Sequence, residues 1–273
     1  MSNIRLACET YTWQMPGEQY KGRLEHILDV CANAGFEGIE PEASFLKHLS
    51  DPVLMKEQLD KYHLELAAFC IVADWKHPTG TDEERKMADG WINFLMHFPD
   101  TILLTVQMPG ADRSELRTRQ DNMIKCVNDI SRRAAAKGLT CSHHPNSPSG
   151  SVFRIASDYE VLMEGLDWQA TGYCPDVGHL AKGGMDPGQI IRQHRDLINL
   201  VHYKDIDPEG NWAETGKGVI NFGEITEYLV ETGFRGWIVM EDECDEAIEQ
   251  PDQLTMKDGI YIKENILPIL SGK

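Results

Sequence analysis

The sequence predicts an α/β fold of the (β/α)8 barrel class, and three observations lead to this prediction. The 273 residues of the chain are close to the roughly 250 that one such barrel requires. Short apolar runs alternate with longer stretches of helical periodicity, as they do in parallel βαβ units. Eight such runs are present, which is the number of strands that closes the barrel. We therefore expect residues 1–273 to form a single domain.

The eight predicted strands are spread along nearly the whole chain. They are Ile4–Cys8, Gly38–Glu40, Leu66–Val72, Ile102–Gln107, Leu139–His144, Gly172–Asp176, Ile198–Lys204 and Trp237–Glu241. An open, doubly wound sheet is the alternative. That fold would carry a Gly-rich phosphate loop after an early strand, and the sequence shows no such loop, so the barrel is favoured.

Helix signals lie between the predicted strands. Leu24, Ile27, Leu28 and Cys31 recur at helical spacing, and Gly35 ends the pattern. Proline at the first position of a helix and glycine just after its last position mark further helices. Helix starts are predicted at Asp51-Pro52, Asp186-Pro187 and Phe222-Gly223. Two longer helical stretches are Glu115–Lys137, which ends before Gly138, and Lys257–Leu270.

The charge balance limits the partners of the protein. There are 26 basic and 44 acidic residues, which give a net charge of −18. This surface repels nucleic-acid phosphates and anionic lipids, so we expect neither a nucleic-acid partner nor a membrane partner. The N-terminal residues lack the layout of a signal peptide, and no apolar run is long enough to span a bilayer. These features predict a cytoplasmic protein.

The cysteines agree with that compartment. The chain has seven, an odd number without a CxxC pair. Cys8, Cys70, Cys141 and Cys174 fall within apolar segments, so we expect buried free thiols in a reducing environment. No cysteine has a motif that would lower its pKa, which argues against a catalytic thiol.

Polar residues stand where the predicted strands end. In a (β/α)8 barrel the C-terminal strand ends converge on one mouth and form the active site. Each polar strand end has an ordinary explanation as a turn, a cap or a solvated side chain, but here the last four strands all end this way. These ends and that of the second strand are Ile39–Glu42, Ser142–Asn146, Pro175–His179, Val201–Asp205 and Val239–Glu243.

Carboxylates and imidazoles gathered at one mouth require a compensating charge. A divalent cation supplies it, and mixed oxygen and nitrogen ligands suit Mn²⁺, Mg²⁺, Co²⁺ or Zn²⁺ in a catalytic role. The sequence therefore predicts a divalent-metal enzyme, with Mn²⁺ as the first expectation.

Four segments resemble the xylose isomerase-like TIM barrel enzymes, a family that includes ketose 3-epimerases, hydroxypyruvate isomerase, inosose dehydratase and, more distantly, endonuclease IV. The resemblance is strongest over residues 138–243, and the sequence pattern there is most similar to that of the inosose dehydratase branch. The segments that carry it are Asp176–Pro187, Ile198–Asp207, Gly216–Ile225 and Gly236–Asp242.

The resemblance implies roles for particular residues. Asp176, His202 and Glu241 are expected to bind the metal. His179 and Lys204 are expected to contact substrate hydroxyls or a developing oxyanion. The residues expected to line the substrate pocket are Glu40, Trp13, His143, Asn146 and Trp212, of which Trp212 could stack on a sugar or simply anchor its loop.

The fifth strand departs from the pattern of many family members. They carry a glutamate at its end, which binds metal and serves as one of two bases. Counting from Gly138, that place falls on His144 here, and another branch of the family also has a histidine there. We expect His144 to be the fourth ligand, with His143 as the alternative, because adjacent strand residues face opposite sides.

This departure shapes the expected reaction. Family chemistry removes a proton next to a carbonyl, and a pair of Glu241 with an imidazole suits dehydration or β-elimination better than two-base epimerisation. We expect a lyase acting on a keto-sugar, keto-inositol or oxidised glycoside. The catalytic residues are Glu241 and His144, and the proton donor is left open among His143, His179, Lys204 and a water molecule on the metal.

Other functions stay open. A sugar isomerase or 3-epimerase is the main alternative. A non-catalytic sugar-binding barrel, a subunit of a glycoside-cleaving complex and a homo-oligomer are further ones. Sugar phosphates are disfavoured because no arginine cluster or Gly-rich anion site stands near the strand ends, and a DNA-repair activity is disfavoured by the negative charge. The acidic segment Asp242–Asp252 is either a solvated loop or a lid over the mouth.

Overall fold

The computed structural model describes residues 3–272, and their central feature is a parallel β-barrel surrounded by helices. The strands are β1 Asn3–Glu9, β2 Gly38–Glu40, β3 Glu65–Leu66, β4 Ala68–Ala73, β5 Ile102–Gln107, β6 Thr140–His144, β7 Gly172–Tyr173, β8 Leu200–Tyr203, β9 Asp205–Ile206, β10 Trp212–Ala213 and β11 Arg235–Met240.

The strands close into a ring of eight. β3 and β4 together make one barrel strand that is interrupted at Ala67, since β3 pairs with β2 and β4 pairs with β5. The hydrogen-bonded orders are β3-β2-β1-β11-β8 and β4-β5-β6-β7. The bridges Tyr173↔Ile198 and Asp176↔His202 join β7 to β8. The predicted (β/α)8 barrel is confirmed, and β9 and β10 form a small antiparallel hairpin beside its mouth.

The helices follow the strands in the expected alternation. They are α1 Leu24–Ala34, α2 Pro52–Tyr62, α3 Asp82–Leu95, α4 Leu116–Ala135, α5 Ala156–Gly165, α6 Val177–Lys182, α7 Pro187–Gln193, α8 Phe222–Glu231, α9 Asp245–Glu249, α10 Pro251–Tyr261 and α11 Leu267–Ser271.

The predicted helix starts at Asp51-Pro52 and Asp186-Pro187 are confirmed, because each aspartate caps its helix by accepting a backbone N–H. The final helix differs from the prediction, since it starts six residues earlier and passes through a π-helical turn, Ile262–Ile266, before α11. Pro268, in the first turn of α11, has no N–H for the regular helical ladder.

Strand alternation separates two apolar regions. Leu6, Cys8, Ile238 and Met240 face the helices and belong to the main core. The residues between them point into the barrel, where a second cluster is formed by Ala7, Ala67, Ala68, Ile102, Leu104, Cys174, Leu200, Trp237 and Val239. Because side chains alternate along a strand, this parity also decides which polar residues at the strand ends face the barrel axis.

The cysteines match a further expectation from the sequence. All seven cysteines are free and buried. No helix within residues 3–272 combines the length and the apolar character needed to cross a bilayer.

Candidate metal centre

Four buried side chains from four neighbouring strand ends meet at the barrel mouth. His144 ends β6, Asp176 follows β7, His202 lies in β8 and Glu241 follows β11. Each offers a nitrogen or oxygen atom that lies within 4.8 Å of the others. All four residues are at most 5% exposed. The structure thus brings together the ligand set that the sequence suggested.

Register explains why His144, rather than its neighbour, faces this cluster. Ser142, two residues before His144, pairs with Leu104, which belongs to the apolar cluster inside the barrel. His144 pairs with Val106 and has the same parity as Ser142, so its side chain also points into the barrel. His143 has the opposite parity and its Nδ1 lies 3.0 Å from the hydroxyl of Thr105. The ring of His144 lies 4.6 Å from that of His202, between their centroids.

Asp176 serves the local fold as well as the cluster. Its Oδ1 accepts the backbone N–H of His179 at 2.7 Å and so caps α6, while Oδ2 lies 3.4 Å from Nε2 of His144. A Cβ on Gly178 would lie 2.8 Å from the carbonyl oxygen of Lys204. The glycine therefore allows α6 to begin directly against β8, which is a physical reason for the sequence Asp-Val-Gly-His.

Lys204 is a buried cation beside the cluster. Its Nζ lies 2.6 Å from Oε1 of Glu241 and 3.3 Å from Oδ2 of Asp176, and it also donates to Glu243. Burial lowers the pKa of this ammonium, but the three carboxylates outweigh burial and hold the pKa well above its usual value. Lys204 therefore stays charged and partly balances the acidic cluster.

The ring of His202 is enclosed by carboxyl groups. Nδ1 lies 3.4 Å from Oε2 of Glu241 and 3.4 Å from Oε2 of Glu9, while Nε2 lies 3.1 Å from Oε2 of Glu40. Burial disfavours the imidazolium, but Cys174 and the carboxyl groups raise the pKa of His202 well above its usual range. Burial, together with Glu241 and Glu40, also raises the pKa of Glu9.

His179 is contacted at both ring nitrogens. The backbone N–H of Ser147 donates to Nδ1 at 3.3 Å, and the Ser147 hydroxyl lies 2.8 Å from the same atom. Nε2 lies 3.2 Å from Nζ of Lys204, an ammonium that can only donate. Burial and the charge of Lys204 lower the pKa of His179 to about 3. The ring is therefore neutral, and both of its nitrogens lie next to hydrogen-bond donors.

The donor set fits a divalent metal ion. Two carboxylates and two imidazoles, all shielded from water, are ligands that Mn²⁺, Co²⁺ and Zn²⁺ accept. Among the described residues, Nδ1 of His144 has no hydrogen-bond partner although it is buried. An unpaired buried polar atom is unusual, and it leaves this imidazole free to adjust toward an ion.

A cavity of about 210 Å³ opens beside the cluster. His144, His202, Glu241 and His179 are among its polar lining residues. Among the described residues that line the cavity there is no arginine and no lysine. The apolar part of the lining consists of Cys70, Val72, Leu104, Val106, Met108, Pro109 and Pro148.

Of the five predicted substrate-contact residues, only Asn146 is among the described residues that line the cavity. Trp212 lies outside the lining and packs edge-on against the ring of His179, with centroids 5.2 Å apart. Trp13, Glu40 and His143 also lie outside the lining. Trp13 is fully buried and its Nε1 donates to Asp252, Glu40 is fully buried against His202, and His143 has the outward parity described above.

Sequence reasoning missed part of the lining. Glu9, the last residue of β1, lines the cavity. A polar residue directly after the first predicted strand was a usable signal for Glu9, but it was applied only to the second strand and the last four. Three further polar lining residues, Tyr11, Gln14 and Gln107, have no motif of their own. Ser147 is not part of the lining, but it lies shortly after β6 and contacts the ring of His179.

The acidic segment Asp242–Asp252 is partly buried. Asp242 and Cys244 are buried, and α9 follows them. At its far end Asp252 accepts hydrogen bonds from Trp13 at 2.7 Å and contacts Nε2 of His26 at 2.8 Å. Both ends of the segment are therefore anchored, and it is not a uniformly solvated loop.

Asp205 organises the loop that follows the hairpin. Its carboxylate accepts backbone N–H groups of Gly216, Gly218 and Ile220 at 3.0, 2.9 and 3.1 Å. A Cβ on Gly218 would lie 2.1 Å from the carbonyl oxygen of Ile206, so only glycine fits there. The first part of the run Gly216–Ile225, from Gly216 to Ile220, is thus held in place by Asp205.

Comparison with known proteins decides the family. The family model described as xylose isomerase-like TIM barrel matches residues 28–264. The chain belongs to the xylose isomerase-like TIM barrel family. Within this family, it is 24% identical to an inosose dehydratase of Geobacillus kaustophilus, in an alignment that covers 99% of this chain and 97% of the relative.

Solved structures of the same fold extend the comparison. An IOLI protein with a bound zinc atom is similar with a TM-score of 0.74 at 15% identity, and the match covers 98% of both chains. A D-allulose 3-epimerase of Methylomonas has a TM-score of 0.75 at 16% identity and covers 97% of this chain and 99% of its own. At these identities the similarity establishes the xylose isomerase-like barrel fold.

Proposed function

We propose that this protein is a divalent-metal-dependent enzyme that dehydrates a neutral keto-inositol or keto-sugar. The single observation that carries the proposal is the buried cluster of His144, Asp176, His202 and Glu241, which opens on one cavity at the barrel mouth. The full-length similarity to an inosose dehydratase supports the reaction class.

The proposed chemistry needs a positive charge, a base and a proton for the leaving hydroxyl. A divalent ion held by the four residues would supply positive charge that stabilises the anion formed when a proton leaves the carbon next to the carbonyl. The C–H proton moves to a carboxylate oxygen of Glu241, and a C=C bond forms as the C–O bond breaks. The leaving hydroxyl takes one proton from solvent and departs as water, and Glu241 then returns its proton to solvent.

The side of the cavity near His179 serves the leaving group. We assign His179 the role of contacting the departing hydroxyl, because its neutral ring lines the cavity and is held by Ser147. Lys204 holds the carboxylate of Glu241 at 2.6 Å and so orients it. The hydroxyls of the substrate would meet further polar residues of the lining, among them Asn146 and Gln107.

Three features bear on the charge of the substrate, the identity of the metal and the location of the protein. The lining lacks cationic side chains among its described residues, which supports a neutral substrate over a phosphorylated one. Mixed carboxylate and imidazole ligands support Mn²⁺ as the working metal, with Co²⁺ and Zn²⁺ as competitors. Seven buried free cysteines support a reducing, cytoplasmic location.

The test is product analysis by NMR in D₂O with the Mn²⁺-loaded protein and a panel of keto-inositols, keto-sugars and their phosphates. We expect an unsaturated or diketo product with loss of water from a neutral substrate. A deuterated epimer or ketose isomer, formed without loss of water, would assign the enzyme to the epimerase or isomerase class instead.

A further inference from the structure

Glu40 contacts the centre from outside the cavity. It ends β2, is fully buried and is not among the residues that line the cavity. Its Oε2 lies 3.1 Å from Nε2 of His202, while Nδ1 of the same ring lies 3.4 Å from Oε2 of Glu241. One ring nitrogen of His202 therefore points toward the ligand cluster and the other toward Glu40.

The buried carboxylate of Glu40 depends on this contact for its pairing. Its second oxygen, Oε1, has no hydrogen-bond partner among the described residues. A buried carboxylate is costly unless it is paired, and the imidazole of His202 is the partner that the structure provides. A substrate in the cavity does not reach this carboxylate, because the ring of His202 lines the cavity and Glu40 does not.

We propose that Glu40 is a positioning residue of the metal centre. It accepts the Nε2–H of His202, which fixes the ring orientation and turns Nδ1 toward the cluster, where an ion would bind in place of the Nδ1 proton. Carboxylates that hold a metal-binding histidine in this way raise its basicity and select its tautomer, and losing them weakens metal binding about 10–100-fold. The inference rests on the proposed metal site and assigns Glu40 a role other than contact with substrate.

The experiment is a Mn²⁺ titration of the metal-free protein, followed by the EPR signal of the free ion. Glu40→Gln keeps the shape of the side chain and removes its charge, and Glu40→Met removes the acceptor. Glu42→Gln is the matched control, because Glu42 lies two residues further on, contacts Gln14 and Ser44, and does not touch His202. Circular dichroism establishes that each variant is folded before titration.

We expect Glu40→Gln to raise the Kd for Mn²⁺ about 10–100-fold, Glu40→Met to raise it at least as much, and Glu42→Gln to leave it within about twofold. The rise in Tm on adding Mn²⁺ should shrink in the same order, which provides a readout independent of activity.

Three results would overturn the inference. Mn²⁺ binding of wild-type strength in both Glu40 variants, with only KM raised, would make Glu40 a substrate contact. An equal loss in Glu42→Gln would show a general effect of negative charge. If the wild-type protein binds no Mn²⁺, the proposed metal site fails first, and that result is separate from any difference between variants.

Discussion

The ammonium nitrogen of Lys204 lies 2.6 Å from Oε1 of Glu241, and both side chains are buried. The same ammonium contacts Asp176 and Glu243, so one lysine compensates three acidic side chains at the mouth of the barrel. This arrangement links the stability of the fold to the charge of the site, because removing either the lysine or a carboxylate leaves the other charges unpaired in a desolvated place.

Lys204→Met should destabilise the metal-free protein. Removing one partner of a buried ion pair costs about 3–5 kcal/mol, and here it leaves the carboxylates of Asp176 and Glu241 without their cation. Saturating Mn²⁺ should recover much of this loss, because the ion replaces the missing charge. The measurement is urea unfolding with and without Mn²⁺.

Lys257→Met is the control for a lysine ion pair. Its ammonium lies 2.9 Å from Oε2 of Glu214 on the surface, where the side chain of Lys257 is 53% exposed. An exposed pair of this kind contributes less than about 1 kcal/mol. Equal losses of stability in the two lysine variants would contradict the buried-charge explanation.

Asp176→Asn should abolish stoichiometric metal binding without unfolding α6. The amide retains an oxygen that can accept the N–H of His179, as Oδ1 does at 2.7 Å, but it no longer offers an anionic ligand. Metal content per protein, measured by inductively coupled plasma mass spectrometry, provides the test. Asp186→Asn is matched to it, since Asp186 caps α7 through Gln189 at 3.0 Å, away from the cluster. A full metal complement in Asp176→Asn would rule out this residue as a ligand.

His144→Ala and His143→Ala should have opposite effects on metal and stability. His144→Ala removes a donor of the cluster, so bound metal should be lost. His143→Ala should keep the metal but lower the free energy of unfolding by about 2–3 kcal/mol, because a buried ring that contacts Thr105 is replaced by a void. The two measurements are metal analysis and denaturant unfolding of each variant. Metal loss in His143→Ala alone would reverse the proposed assignment.

Two helical glycines should respond to alanine with opposite sign. A Cβ on Gly259 would lie 2.1 Å from the carbonyl oxygen of Ala34, where α10 crosses α1 closely, so Gly259→Ala should destabilise by about 1–3 kcal/mol. Gly90 lies within α3, and a Cβ there would enter open space in the described structure, so Gly90→Ala should stabilise by about 0.5–1 kcal/mol. Thermal unfolding of both variants tests the pair, and stabilisation by Gly259→Ala would contradict the close crossing.

Much of the barrel was predictable because its signals are local. Apolar runs, the Asp-Pro helix starts and the strand-end rule each depend on a few consecutive residues, and they placed Asp176, His202 and Glu241 at one mouth. The last helix was misplaced because its start at Pro251 follows the short helix α9 rather than a clear apolar pattern. Glu40 and Trp13 were expected at the cavity because the sequence does not show their tertiary neighbours. In the structure Glu40 contacts His202 and Trp13 donates to Asp252.

The sequence by itself determined the fold class, the family and the order in which the polar strand ends occur, because periodicity and short motifs are properties of neighbouring residues. Only the tertiary structure decided that His144 faces the cluster and His143 faces Thr105, that Glu40 lies behind His202, and that Ser147 holds His179. These relationships join residues of different strands and loops. They depend on barrel register and closure, which bring distant parts of the chain within hydrogen-bond distance.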